Sequence, residues 1–306
     1  LLEQLTFEYC DLVMKGGVTS GIVYPLTIVE LAKRYRFKNI GGTSAGAIAA
    51  VLTAAAEYGR RSGKSDSYNN IAALPASLGS DNLLLRLFEP SSSTAPIFRI
   101  LLAAMRPAGK FGKIVAASLA VLRSFWVPAT LGALLGAIPP ILLFLVFRGP
   151  MLPYILLGLL WVLVVSVLVL VFSAITKALS CTVSNDFGLC PGFGEKAAAG
   201  GPPLTNWLHE QIQLAAGRQP EDAPLTFGDL WHAKPYPGEL LRTDQAINLQ
   251  VVTTSLTQGR PFTIPFESGS FHFDENDFNR LFPRGVVKWM VEHAPKDEEH
   301  PIQSSA

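Results

Sequence analysis

The sequence predicts an α/β domain interrupted by a two-helix membrane hairpin. Three observations predict it. Two glycine-rich turns, one at Gly16-Gly17 and one at Gly42-Thr43-Ser44-Ala45-Gly46, each follow a strand candidate and precede a helix candidate. Two uncharged apolar runs lie almost back to back between Trp126 and Thr176. Residues 246–266 then read as strand, turn, strand.

The elements follow in order. Residues 9–14 form a short apolar strand running into the loop Lys15-Gly16-Gly17-Val18-Thr19-Ser20-Gly21. Pro25 suits a first helical turn, and Leu26, Ile28, Val29 and Leu31 supply an apolar helical face. Residues 39–42 are a short strand, and the Ala-rich run 45–56 is a helix. Residues 62–70 are polar and predict an exposed loop, with the Arg60-Arg61 pair solvated beside it. Ser91-Ser92-Ser93-Thr94 is a second loop, flanked by short apolar helices at 83–88 and 97–105.

Residues 126–147 and 151–176 carry no charge. About 20 apolar residues span a bilayer core as a helix, so both runs are long enough. Arg148-Gly149-Pro150 joins them as a minimal turn. Lys110, Lys113, Arg123 and Lys177 outnumber Arg148, which predicts cytoplasmic outer flanks. Pro139-Pro140 predicts a kink or a re-entrant turn. Beyond the hairpin, 205–215 is a helix candidate, Thr226 to Asp229 has capping-box form, and 246–254 alternates as a strand. The expected divisions are 7–124, 125–177 and 178–306.

Composition agrees with this layout. Hydrophobic residues make up 49% and charged residues 16%, a balance that points to a membrane portion. A net charge of +1 exerts no bulk pull on nucleic acid. Cys10, Cys181 and Cys190 make neither a disulfide framework nor a zinc pattern, so a reducing compartment is expected. The start at Leu1 lacks a signal peptide's basic region, and the chain is expected to be a piece of a longer protein.

Gly42-x-Ser44-x-Gly46 matches a nucleophile elbow, where serine sits on a sharp turn between strand and helix. The helix N-terminus behind Ser44 offers partial positive charge and free N–H groups to a developing oxyanion. The plainer alternative is a turn in which Ser44 only caps the helix. Gly16-Gly17, about 27 residues upstream, can aim consecutive backbone N–H groups at one point, as an oxyanion hole requires.

These two segments resemble the patatin-like phospholipases, which open with a glycine-rich oxyanion loop and follow it with a Gly-x-Ser-x-Gly elbow. The resemblance covers residues 7–58 closely and 178–280 loosely. It implies a three-layer α/β/α sandwich with the hairpin inserted. It implies Ser44 as nucleophile, Gly16, Gly17 and Val18 around the oxyanion, and Gly42, Thr43, Ala45 and Gly46 as the elbow. Val18 stands where the family has a third glycine, and Ser20 where it has a basic residue.

The family's base is an Asp in an Asp-Gly pair, and no Asp here precedes Gly. Asp186, Asp229, Asp244, Asp274 and Asp277 lie in other contexts, with Asp229, Asp274 and Asp277 resembling helix caps. The base is therefore expected beyond residue 306. His209, His232, His272, His293 and His300 leave an α/β-hydrolase triad as a rival class. The expected function is membrane-associated lipid acyl hydrolysis, with membrane lipids as substrate and surroundings, no nucleic-acid partner, and neither metal nor organic cofactor. An acyltransferase on the same serine and an inactive membrane scaffold are the alternatives.

Overall fold

The computed structural model describes residues 8–17, 20–105, 109–146, 151–194, 200–237, 239, 245–266 and 271–294. They fall into two compact units. The first is built from the described residues of Leu1–Leu87, Gly192–Gly194 and Pro202–Ala306, and the second from those of Phe88–Pro191 and Glu195–Gly201. The described residues are mixed α/β and mostly helical, with one four-stranded sheet among them.

In the first unit, β1 (Glu8–Met14), α1 (Ser20–Arg34), β2 (Tyr35–Thr43) and α2 (Ala45–Arg61) follow one another directly. β1 pairs parallel with β2, and β2 parallel with β3 (Asn248–Ser255). β4 (Arg260–Ile264) returns antiparallel on β3 through the turn at Gly259, giving the order β1-β2-β3-β4. Strand side chains alternate between faces. Met14, Ile40 and Leu249 on one face join Ile28 and Ala32 of α1 and the alanines of α2 in a single buried core. On the other face, Asn39 Nδ2 donates to Asp11 Oδ1 (3.0 Å) and Asn248 Nδ2 donates to Asn39 Oδ1 (3.1 Å). Val13 on that face is 91% exposed. Among the described residues, the helices of this core thus cover one face of the sheet.

Small side chains let α2 come close to its neighbours. Ala54, Ala55 and Ala56 are all buried. A methyl group on Gly59 would lie 2.8 Å from Ala215 O and closer still to Ser67 Oγ. Those contacts belong to α3 (Ser67–Gly79) and α9 (Leu204–Ala215). The expected loop over residues 62–70 is therefore corrected: α3 begins inside it, with Ser67 and Ile71 buried. Its polar sequence concealed a helix that is amphipathic only in the company of α2.

The expectation that Arg60 and Arg61 are solvated is also overturned. Glu57, fully buried, accepts hydrogen bonds from Tyr68 Oη and Tyr236 Oη (both 2.9 Å) and from Arg60. Arg60 also donates to Ala32 O (2.8 Å) and Tyr35 O (3.1 Å), tying α2 to the α1–β2 junction. Arg61 forms a two-pronged pair with Glu239 at 2.7 and 3.1 Å. A buried charge persists only when paired and hydrogen-bonded, and this cluster meets that condition.

The remaining helices of the first unit are α4 (Leu83–Leu87), after a 3-10 turn at Ser80–Asn82, then α10 (Phe227–Trp231), α11 (Glu275–Leu281) and α12 (Arg284–His293). Thr226 and Asp229 complete the expected capping box on α10. Asp274 caps α11 by accepting from the Asp277 N–H, so Asp277 is the capped residue rather than a cap.

The second unit contains α5 (Ala95–Met105), α6 (Lys110–Ser124), α7 (Trp126–Val146) and α8 (Met151–Ser184). Two of its helices, α7 and α8, are long and apolar enough to cross a membrane. α7 continues through Pro139 and Pro140. α8 passes the end of the uncharged run and includes Lys177. The two pack antiparallel through small residues. Methyl groups on Gly132 and Gly136 would lie 2.8 Å from Ser166 Cα and 3.1 Å from Val162 Cα. One on Gly158 would lie 2.9 Å from Pro140 Cβ. The turn at 147–150 lies outside the described residues.

Candidate functional site

The site is built where β1 and β2 end side by side. Met14 pairs with Gly42 at the last rung of their ladder, so the loop leaving β1 and the turn leaving β2 emerge together. Ser44 is the single residue between β2 and α2, with φ 54° and ψ −130°. Non-glycine residues rarely adopt that conformation, and it is concentrated at functional turns. Ser44 occupies the N-cap position of α2, but its side chain accepts no capping hydrogen bond. Its side chain is exposed, and no described residue hydrogen-bonds its hydroxyl.

The flanking glycines are there for space. A methyl group on Gly42 would press on Gly46 O and lie 2.9 Å from Ala47 N. One on Gly46 would press on Met14 O and lie 2.7 Å from Met14 C. Without side chains at both positions, α2 can start directly against the end of β1. Thr43 and Ala45 hold the turn from either side, as the last residue of β2 and the first of α2.

The first glycine loop comes to the same place. A methyl group on Gly16 would overlap Ser44 Cβ, and would lie 2.7 Å from Thr43 O and 3.0 Å from Ser44 Oγ. Two turns 28 residues apart in sequence therefore meet at one hydroxyl. Gly17 follows within the described loop, whereas Val18 lies outside the described residues. Two residues that no motif marks also build the site. Tyr24 Oη donates to Lys15 O (2.7 Å), bracing the loop from α1, and Met14 O forms the wall against Gly46. Neither has a local signal in the sequence, because each acts through one long-range contact.

The arrangement can present a hydroxyl at the positive end of a 17-residue helix beside a loop of glycine N–H groups. That chemistry suits attack on a carbonyl whose oxygen becomes charged. Six of the candidate bases make contacts elsewhere. Asp229 belongs to the capping box and pairs with Arg218 at 3.3 Å, Asp274 caps α11, and Asp277 accepts from Arg280 at 2.9 Å. His209 bonds Pro220 O (3.0 Å), His232 bonds Gly228 O (2.8 Å), and His293 bonds Trp289 O (2.8 Å) and stacks on Trp289. Asp244 and His300 lie outside the described residues. No group of His, Cys, Asp and Glu among the described residues is arranged to hold a metal ion.

This geometry places Ser44 at a strand–turn–helix junction of a mixed α/β sheet whose first three strands are parallel. The chain is similar to a protein called RpoH suppressor from Rhizobium meliloti (strain 1021), with 39% identity over 299 residues. The similarity covers 94% of this chain and 46% of that relative, so the chain spans a little under half the relative's length. No protein-family model matches the chain, and no solved structure matches it.

Proposed function

We propose that this chain carries the nucleophile of a membrane-anchored lipid acyl hydrolase of the patatin-like phospholipase kind. The observation that carries the proposal is the meeting of Gly16 with Ser44. A glycine loop that only turns the chain has no reason to abut the one residue in the unit's elbow. The strained backbone of Ser44 and the start of α2 behind it support the same chemistry.

In this mechanism Ser44 Oγ attacks the ester carbonyl carbon and gives its proton to a base. The carbonyl oxygen becomes an oxyanion, held by N–H groups of the Gly16–Gly17 loop and the first turn of α2. The tetrahedral intermediate collapses, the alcohol leaves with a proton, and water hydrolyses the acyl-enzyme. We take the base from outside the described residues, since none of these hydrogen-bonds Ser44. A three-layer sandwich follows from the same resemblance, with further elements covering the sheet face that carries Asp11 and Val13.

In the same proposal α7 and α8 cross a membrane as a hairpin with its basic flanks in the cytoplasm. The support is their length, the absence of charge over residues 126–146 and 151–176, and their exposure along most of both helices. An anchor suits an enzyme whose substrate is confined to a bilayer. The test is labelling of the full-length protein in membranes with a fluorophosphonate probe. Wild type should label and Ser44→Ala should not. Equal labelling of both, or of neither, would remove Ser44 from the chemistry.

A further inference from the structure

Helix α6 packs its small face and displays its large one. Ala116, Ala117, Ala120 and Val121 are half-buried, while Phe111, Ile114, Leu119 and Leu122 are exposed. Phe111 is 81% exposed and Leu119 60%. On α5, which pairs with α6, Leu101, Leu102 and Met105 are exposed as well. A water-facing helix turns such residues inward, and a contiguous apolar surface of this kind marks a binding face.

Three features identify what covers it. The first is continuity. α6 ends at Ser124, and α7 begins at Trp126 with only Phe125 between them. The other end of the pair is tied down too: Thr94 Oγ1 donates to Leu189 O (2.6 Å), as does the Ser91 N–H (2.9 Å). Gly132 beside Ser166 and Gly136 beside Val162 set a register that brings Trp126 level with Phe172. The last turns of α8 therefore run on past α7, on the side where α5 and α6 lie.

The second feature is charge. Residues 90–185 contain seven Lys and Arg and no Asp or Glu. Arg99, Lys113, Arg123 and Lys177 are exposed, and among the described residues none pairs with a carboxylate. The third is a cleft of about 560 Å³ at this end of the hairpin. Ser124, Ser173, Lys177 and Ser180 line it with hydroxyl and ammonium groups, next to Pro96 and Phe125.

We infer that α5 and α6 form a platform lying in the surface of the bilayer that α7 and α8 cross, and that acidic phospholipid is its ligand. The apolar face reaches the acyl-chain boundary. The basic rim and the Lys177 cleft receive the phosphate headgroups. Interfacial helices combine these two attractions, and basic groups beside a membrane favour acidic lipid. The inference rests on the proposed membrane hairpin, but not on the chemistry at Ser44.

The test uses the whole chain in lipid vesicles, with Cys10, Cys181 and Cys190 replaced by alanine. A fluorophore is attached at Leu119→Cys, or at Val164→Cys in the middle of α8 as a reference. Both labels should be shielded from iodide in water and quenched by brominated lipid. Brominated phosphatidylglycerol should quench the Leu119→Cys label about two-fold more than brominated phosphatidylcholine. Lys113→Gln with Lys177→Gln should abolish that preference. An iodide-accessible label at 119 with a shielded label at 164 overturns the platform and leaves the hairpin standing. Accessible labels at both positions sink the hairpin, and the platform with it. Equal quenching by the two lipids overturns the acidic-lipid assignment.

Discussion

Gly16 leaves no room for a side chain beside Ser44: a methyl group there would overlap Ser44 Cβ and lie 3.0 Å from Oγ. On the proposed chemistry, Gly16→Ala must push the loop's N–H groups off the oxyanion. Loss of one such donor lowers turnover about 10²-fold or more. The fluorophosphonate labelling rate of the full-length protein should fall by about that factor. An unchanged rate would separate the loop from catalysis.

Gly46 should matter for stability, whatever the activity. A methyl group there meets backbone at Met14, which cannot swing aside as a side chain would. Overpacking against fixed atoms costs about 1–3 kcal/mol. Gly46→Ala should therefore lower the melting temperature by several degrees. Gly79→Ala is the control, because nothing lies within 4 Å of its methyl position. It should change stability by less than about 0.5 kcal/mol.

The buried cluster at Glu57 predicts an alkaline limit to stability. Burial, and then the Glu57 carboxylate, push the Tyr68 and Tyr236 hydroxyls above the ordinary tyrosine value of 10.0. In the folded protein they stay protonated where the unfolded chain would ionise. Stability is thus full below pH 10 and falls as pH rises past it, because the unfolded state then binds fewer protons. Tyr236→Phe removes one of these groups. It should flatten the fall seen in thermal melts above pH 10, and cost about 1 kcal/mol at neutral pH for the lost hydrogen bond. An unaltered alkaline slope would count against the cluster as its source.

The hairpin predicts a contrast between neighbours on one helix. Gly132 faces Ser166 at backbone distance, whereas Leu134 is 69% exposed. Gly132→Leu should separate α7 from α8, and cysteines placed along the two helices should cross-link less efficiently. Leu134→Phe should leave cross-linking as it was.

The sequence by itself determined the local features: the strand–turn–helix around Ser44, the loop at Gly16-Gly17, and two helices of membrane-spanning length. These depend on glycine spacing, alternation and the absence of charge, which are properties of a few consecutive residues. Only the tertiary structure decided what those features meet. It put Gly16 against Ser44, braced Lys15 with Tyr24, and buried Arg61 on Glu239, 178 residues away. It also made a helix of residues from Ser67 onward, whose polar sequence reads as loop until Gly59 offers a place for Ser67 to pack. On α6 it turned the alanines inward and the large side chains outward. The physical reason is common to all of these. Contacts between distant segments set burial, and burial decides whether an arginine is solvated, whether a polar run is a helix, and which face of a helix is left to meet a membrane.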